Sequence, residues 1–250
     1  MNKNWRRKIL FFSEWNLLEK GLLLANFIVT FCLLIYQCIV GNVNDWKTWL
    51  AFVANIFNIV SVILATKKHI SCFIWGLLAV IGFGGVAFGS QATGNVILYW
   101  IFYIPAQLFA LYLWRKNSND KIQVKPTTIN GWQIVVTMVC TVGFIILFSW
   151  IETINKFQSF WYGKNIVAYS TLTYILDAAV LILSIVMTIF TWCRFKERWY
   201  ISVLVDTCQI ALWSAIVYHK GISDISGWIM IISSITMMIS AIYGVFNWQK

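Results

Sequence analysis

DAAVLILSIVMTIFTWCRFKERWYISVLVDTCQIALW, residues 177–213, decides how this chain is read. Two long apolar runs flank a short basic turn, and each run carries one aspartate. Asp177 sits near the start of the first run and Asp206 in the middle of the second. Runs of this length cross a bilayer as helices. An ionisable side chain at the centre of a membrane helix costs roughly 2.5–3.5 kcal/mol on insertion scales, so it faces protein or a wet cavity. The two acids are therefore expected to mark a solute path through a helix bundle.

The rest of the chain agrees with a lipid solvent. Of its 250 residues 60% are apolar and 11% charged, against about 25% charged in soluble domains. Apolar runs fall at about 21–41, 49–66, 71–89, 95–114, 131–150, 167–192, 199–219 and 227–248. Backbone groups in hydrocarbon must be bonded internally, so each run is expected to be a helix. The fold class is an all-α integral membrane protein with about eight transmembrane helices.

The net charge of +10 raises the question of nucleic acid. The basic residues cluster between apolar runs instead, which is an orientation signal, and no nucleic-acid partner is expected. If the loops alternate, about 15 Lys and Arg gather on the side of the N-terminus, among them Lys67, Lys68, Arg115, Lys116, Arg194, Lys196 and Arg198. Only 4 gather on the other: Lys47, Lys156, Lys164 and Lys220. The first side is expected to be cytoplasmic, with both termini there. The basic opening of the chain reads as an interfacial segment and uncleaved anchor, with Trp5 and Trp15 near the headgroups. The six cysteines form no CxxC pair and read as buried small hydrophobes.

Two triplets of spans share a layout. A basic turn follows the first helix of each, at Lys67–His69 and at Arg194–Arg198. A short opposite turn follows the second, at Gly89–Gly94 and Gly221–Gly227, and an aromatic end closes the third, at Trp114 and Trp248. One helix links the triplets and gives both the same orientation. The expected core is thus a 3+1+3 parallel repeat with one extra N-terminal helix. The divisions are 1–48 for the N-terminal segment and first span, 49–114 for the first repeat, 115–166 for the linker with one span, and 167–250 for the second repeat. Segment 115–130 is a polar linker, and 151–166 is the longest loop on the far side, aromatic enough to lie on the membrane face or to cap a cavity.

Three helix faces carry candidate substrate-binding residues. Asp206, Gln209 and Trp213 fall at i, i+3 and i+7, and Trp100, Tyr103 and Gln107 repeat that spacing. Asp177, Ser184 and Thr188 share a third face. Rings stack on Trp and Tyr, amides and carboxylates bind hydroxyls, and a buried acid attracts a cation. Asn55 and Asn58 read as helix–helix contacts, a recurrent role for membrane amides. His69 and His219 lie at opposite ends of spans, so no metal site is expected. No HExxH, GxSxG, phosphate loop or paired carboxylates appear, so no enzyme and no cofactor is expected.

These residues resemble a known family, the PnuC-type vitamin transporters, whose best-known members carry nicotinamide riboside. LATKKHISCFIWG (64–76) is similar to the family's first basic turn, and FYIPAQLFALYLW (102–114) to its Tyr-x-x-x-Gln helix. The run from Asp177 to Asp206 is similar without gaps to a D-A, L-S-I, K-R, E-x-W, V-N pattern. The likeness covers about residues 49–248. It departs at Asp206, where the family has Asn, at Ser202, where it has Trp, and at Ala79, where it has Asn. The resemblance implies a nucleoside-like vitamin as substrate, facilitated diffusion with trapping by a cytoplasmic kinase, a homotrimer, and a bacterial inner membrane. Thiamine, riboflavin or a deoxynucleoside stays open as the solute, as does proton coupling through Asp206. A membrane partner subunit without transport is the reading from a different class.

Overall fold

The structure, a computed structural model, describes residues 15–40, 45–116, 127–152, 155–163, 167 and 169–249. Among them eight helices are long and apolar enough to cross a membrane. These are α1 (Leu17–Ile39), α2 (Trp46–Thr66), α3 (Cys72–Ser90), α4 (Thr93–Lys116), α5 (Gly131–Glu152), α7 (Thr171–Trp192), α8 (Arg198–Lys220) and α9 (Ile225–Gln249). A short helix, α6 (Asn155–Tyr162), lies inside the expected loop at 151–166. At 1.5 Å rise per residue, 19 to 25 residues reach across a hydrocarbon layer about 30 Å thick. The chain is thus a multi-pass, all-helical membrane protein.

Six helices close a ring. α2 packs on α3, α3 on α4, α4 on α7, α7 on α8, α8 on α9, and α9 returns to α2. α1 lies outside against α2 and α9, and α5 lies outside against α7. The two basic turns have the same backbone. Lys68 (φ 61°) and Arg194 (φ 60°) both take the left-handed conformation. The next amide then reaches back five residues in each, His69 N–H to Leu64 O and Phe195 N–H to Phe190 O, both at 2.9 Å. This is the Schellman close of a helix, which satisfies carbonyls otherwise left bare at a helix end. Cys72 N–H to His69 O and Arg198 N–H to Phe195 O then start α3 and α8 alike. The two turns, with Lys67, Lys68, Arg194, Lys196 and Arg198, make up the basic end of the molecule. The linker is pinned to the second turn: Thr127 accepts from Lys196 N–H at 3.0 Å and donates its own N–H to Arg194 O at 2.9 Å.

α1 starts four residues earlier than its apolar run predicts. Glu19 accepts from Asn16 N–H at 2.8 Å and holds Lys67 of the first basic turn at 2.9 Å, so its charge is matched inside the helix. Glu19, Asn26, Thr30 and Gln37 form a buried stripe with Leu34, while most of the other apolar side chains of α1 point outward. In lipid the polar groups are the ones that need a protein partner. Asn26 donates to Thr236 on α9 at 2.7 Å and accepts from Asn55 on α2 at 2.5 Å. α1 therefore straps the seam between the repeats. Asn55 behaves as the helix contact expected of it. The cysteines differ from expectation: Cys32, Cys38, Cys140 and Cys193 are exposed and only Cys72 is buried. An exposed thiol on a spanning helix meets lipid rather than water, and so is not forced inward. Residues 1–14, including Trp5, lie outside the described residues.

Glu19 is 1% exposed, whereas the Lys67 side chain is 20% exposed and can turn to water. Lys67→Met is therefore expected to lower the unfolding free energy in detergent more than Glu19→Gln, by up to about 3 kcal/mol. The double variant should regain part of that loss.

Candidate functional site

The six-helix ring encloses a cavity of about 160 Å³. Every helix of the ring lines it, and α1 and α5 do not. It runs from Cys72 and Arg198 at the basic end to Gln209, Tyr99 and Phe83 deeper in the bundle. Six of the nine expected residues line it: Tyr103, Gln107, Ser184, Thr188, Asp206 and Gln209. Trp100, Asp177 and Trp213 lie outside it.

Trp100 is displaced by a local change of helix type. Residues Ile97–Tyr103 form a π-helical turn within α4. Such turns often sit at functional sites, and they widen the spacing of a face. The inward row becomes Tyr99, Tyr103 and Gln107, four residues apart, instead of Trp100, Tyr103 and Gln107. The Trp100 indole turns to the outside, where it donates to Ile81 O at 3.2 Å and stacks on Phe88. It lies across Gly84: a Cβ there would come within 2.0 Å of Nε1, so only glycine admits the ring. On the inner face Tyr103 meets Ser184 and Thr188 of α7 across the seam between repeats.

Asp206 stands near the middle of the 23-residue α8 and is 1% exposed. Its hydrogen bond is a long one, 3.5 Å from Ser202 Oγ. Among the described residues no Lys, Arg or His nitrogen comes within 4 Å of its carboxylate; the two ion pairs found are Lys47–Asp45 and Lys67–Glu19. Arg198 sits two turns earlier on the same helix, about 12 Å along the axis. It donates to Thr191 Oγ1 at 3.2 Å and lies 4.2 Å from the Trp199 ring centre. The cavity thus holds a carboxylate mid-membrane, two tyrosines and three amides in its wall, and a guanidinium at its basic end.

Asp177 has a different task. Its carboxylate accepts from Gly94 N–H (2.7 Å), Asn95 N–H (3.1 Å) and Asn95 Nδ2 (2.9 Å). These are free donors at the start of α4, where the helix dipole also favours a negative charge. The chain of bonds continues. Gln209 Nε2 donates to Asn95 Oδ1 at 3.0 Å, and Trp213 Nε1 donates to Gln209 Oε1 at 2.9 Å. Trp213 is fully buried. Asp177 and Trp213 were expected to touch solute, but here hydrogen bonds and packing use their polar groups to close the cavity on the side away from the basic end.

Sequence reasoning missed Tyr99, Asn95, Arg198 and Ser202. The row Asn95, Tyr99, Tyr103, Gln107, polar or aromatic at every fourth residue, was the available signal. Asn58 was read as a helix contact; it does bond Ser233 at 3.2 Å, and it also lines the cavity.

Asp177→Ala would strand two backbone donors and an amide in a dry site. A loss of about 2–4 kcal/mol in thermal stability is expected, with solute affinity of the folded protein changed less than about tenfold. Gly94→Ala should act in the same direction, since its Cβ would lie 2.9 Å from Asp177 Cγ. A selective affinity loss with unchanged melting would return Asp177 to the binding set.

The comparisons with known proteins agree with this architecture. The family model described as Nicotinamide mononucleotide transporter matches residues 48–250. The chain is 24% identical over 253 residues to the nicotinamide riboside transporter PnuC of Neisseria mucosa, covering 98% of this chain and 85% of that protein. It is 25% identical to the nicotinamide riboside transporter PnuC of Haemophilus influenzae, covering 98% and 95%. A crystal structure of the vitamin B3 transporter PnuC shares its fold, with a TM-score of 0.71 and 23% identity over 100% of this chain and 97% of the other. With the family match spanning most of its length, the chain belongs to the nicotinamide mononucleotide transporter family, the group of PnuC-type membrane transporters.

Proposed function

We propose that this chain takes up nicotinamide riboside, or a close cationic relative, through the six-helix cavity. One observation carries the reading: the mid-membrane carboxylate of Asp206 faces a cavity and, among the described residues, has no cation paired to it. A permanent pyridinium charge meets that need. Tyr99 and Tyr103 offer ring faces, and Gln107, Gln209, Ser184 and Thr188 offer donors and acceptors for ribose hydroxyls. The two relatives, both described as nicotinamide riboside transporters, support the same solute class.

In this reading the basic end faces the cytoplasm of a bacterium, in accord with the Lys and Arg asymmetry. Uptake is facilitated diffusion, and phosphorylation by a cytoplasmic kinase keeps the solute inside. Three copies assemble, as the family resemblance implies. The two repeats rock against each other, with the bonds from Asp177 through Asn95 to Gln209 opening when the cavity faces outward.

Proteoliposomes should show saturable uptake of nicotinamide riboside that follows its gradient. No uptake by well-folded protein would rule out this solute. Asp206→Asn should melt near the wild-type temperature. It should bind the cation about thirtyfold more weakly, the equivalent of about 2 kcal/mol. The neutral reduced form of the nucleoside should lose far less. Equal losses for both ligands would remove the charge role from Asp206.

A further inference from the structure

We propose that the Tyr99 hydroxyl selects the carboxamide of the solute by donating its hydrogen to the carbonyl oxygen, and that a relay of bonds behind Tyr99 fixes it in this donating part. This rests on the reading above that nicotinamide riboside occupies the cavity.

The direction of the relay is fixed from both ends. At one end stands the Asp177 carboxylate, which only accepts, so Asn95 turns its Nδ2 toward it at 2.9 Å and its Oδ1 away. Asn95 Oδ1 in turn needs a donor, and Gln209 supplies Nε2 at 3.0 Å. At the other end stands the Trp213 indole, which only donates, and it meets Gln209 Oε1 at 2.9 Å. Both neighbours demand the same setting of the Gln209 amide. Its second N–H then goes to the Tyr99 hydroxyl oxygen at 3.3 Å. An amide nitrogen accepts nothing, so Tyr99 accepts there and its own hydrogen has to point elsewhere. Among the described residues no protein atom takes that hydrogen, and Tyr99 lines the cavity.

The two halves of the cavity differ in kind. Phe83 and Tyr99, with ring centres 5.8 Å apart, stand in the deep half. Gln107, Thr188 and Ser202 stand in the half toward the basic end. A solute with one flat ring and one hydroxylated sugar therefore lies with its ring deep. Gln209, whose N–H sets Tyr99, is three residues beyond Asp206, a rise of about 4.5 Å along α8. A ring nitrogen beside Asp206 brings a carboxamide on the same ring to that depth. A phenolic O–H shut in without an acceptor is costly, so a ring that lacks the carbonyl is held less well. Trp213 never touches the solute in this scheme and is a positioning residue.

The test is calorimetric titration of the full-length protein with nicotinamide riboside and with pyridinium riboside, the same nucleoside without its carboxamide. Both are cations, so Asp206 treats them alike. Wild type is expected to bind pyridinium riboside about tenfold more weakly. Tyr99→Phe keeps the ring and loses the hydroxyl. It should weaken nicotinamide riboside about tenfold and pyridinium riboside less than about twofold. Equal wild-type affinities for the two nucleosides overturn the proposal, whatever the variant does, and leave the cationic solute in place. Equal losses for both in Tyr99→Phe overturn it as well, because packing of the ring would then account for the residue. No binding of either nucleoside to wild type overturns the substrate assignment, and the carboxamide contact falls with it.

Discussion

The carboxylate of Asp177 is the contact on which the arrangement of the two repeats rests. α4 begins inside the bundle, where water cannot satisfy its first amides. An acid from α7, in the other repeat, satisfies two of them and the Asn95 side chain as well. The bonds that complete one helix therefore also dock the first repeat on the second. Because Asn95 then accepts from Gln209, and Gln209 from Trp213, the docking extends to α8 and closes one end of the cavity. Gln209 is both the last link of this closure and a wall of the cavity. A solute that bonds Gln209 competes with the closure itself, which is a direct route from occupancy to opening.

The repeat is close in backbone and unequal in chemistry. The turns at Lys68 and Arg194 match bond for bond, so α3 and α8 enter the ring in the same way. At matching depth α3 carries Gly76, Val80 and Phe83, where α8 carries Ser202, Asp206 and Gln209. Gly76 leaves room for Gln107, whose Nε2 would lie 3.0 Å from a Cβ at that position. One wall is thus smooth and apolar, and the facing wall holds the charge and amide. A flat, apolar ring with a charged and hydroxylated edge fits such a pair of walls better than a uniformly polar solute does.

α1 lies outside the ring yet bears on its motion. Asn26 bonds α2 of the first repeat and α9 of the second at once, and Glu19 grips the first basic turn. The α2–α9 seam is therefore strapped from the lipid side. The α4–α7 seam is held from within, by Asp177 and by Trp114 Nε1 donating to Thr191 O at 2.9 Å. Rocking of the repeats has to break the bonds of one seam, and those at Asp177 border the cavity.

Length and apolar content were enough to determine eight helices, and the two basic turns, legible as a matched pair, close their helices with the same backbone bonds. Asp206 was legible as well, because a carboxylate amid a long apolar run has few places to go but inward. The division of labour between the acids was not legible. Asp177 and Asp206 look alike in sequence, and only the folded chain brings the start of α4 to one and leaves the other facing open space. Nor could spacing assign Trp100. A π turn changes the residues per turn, and the glycine that seats the displaced indole, Gly84, lies on another helix. Periodicity along one chain determined what must be buried; which buried group bonds and which waits for a ligand depended on contacts between helices far apart in sequence.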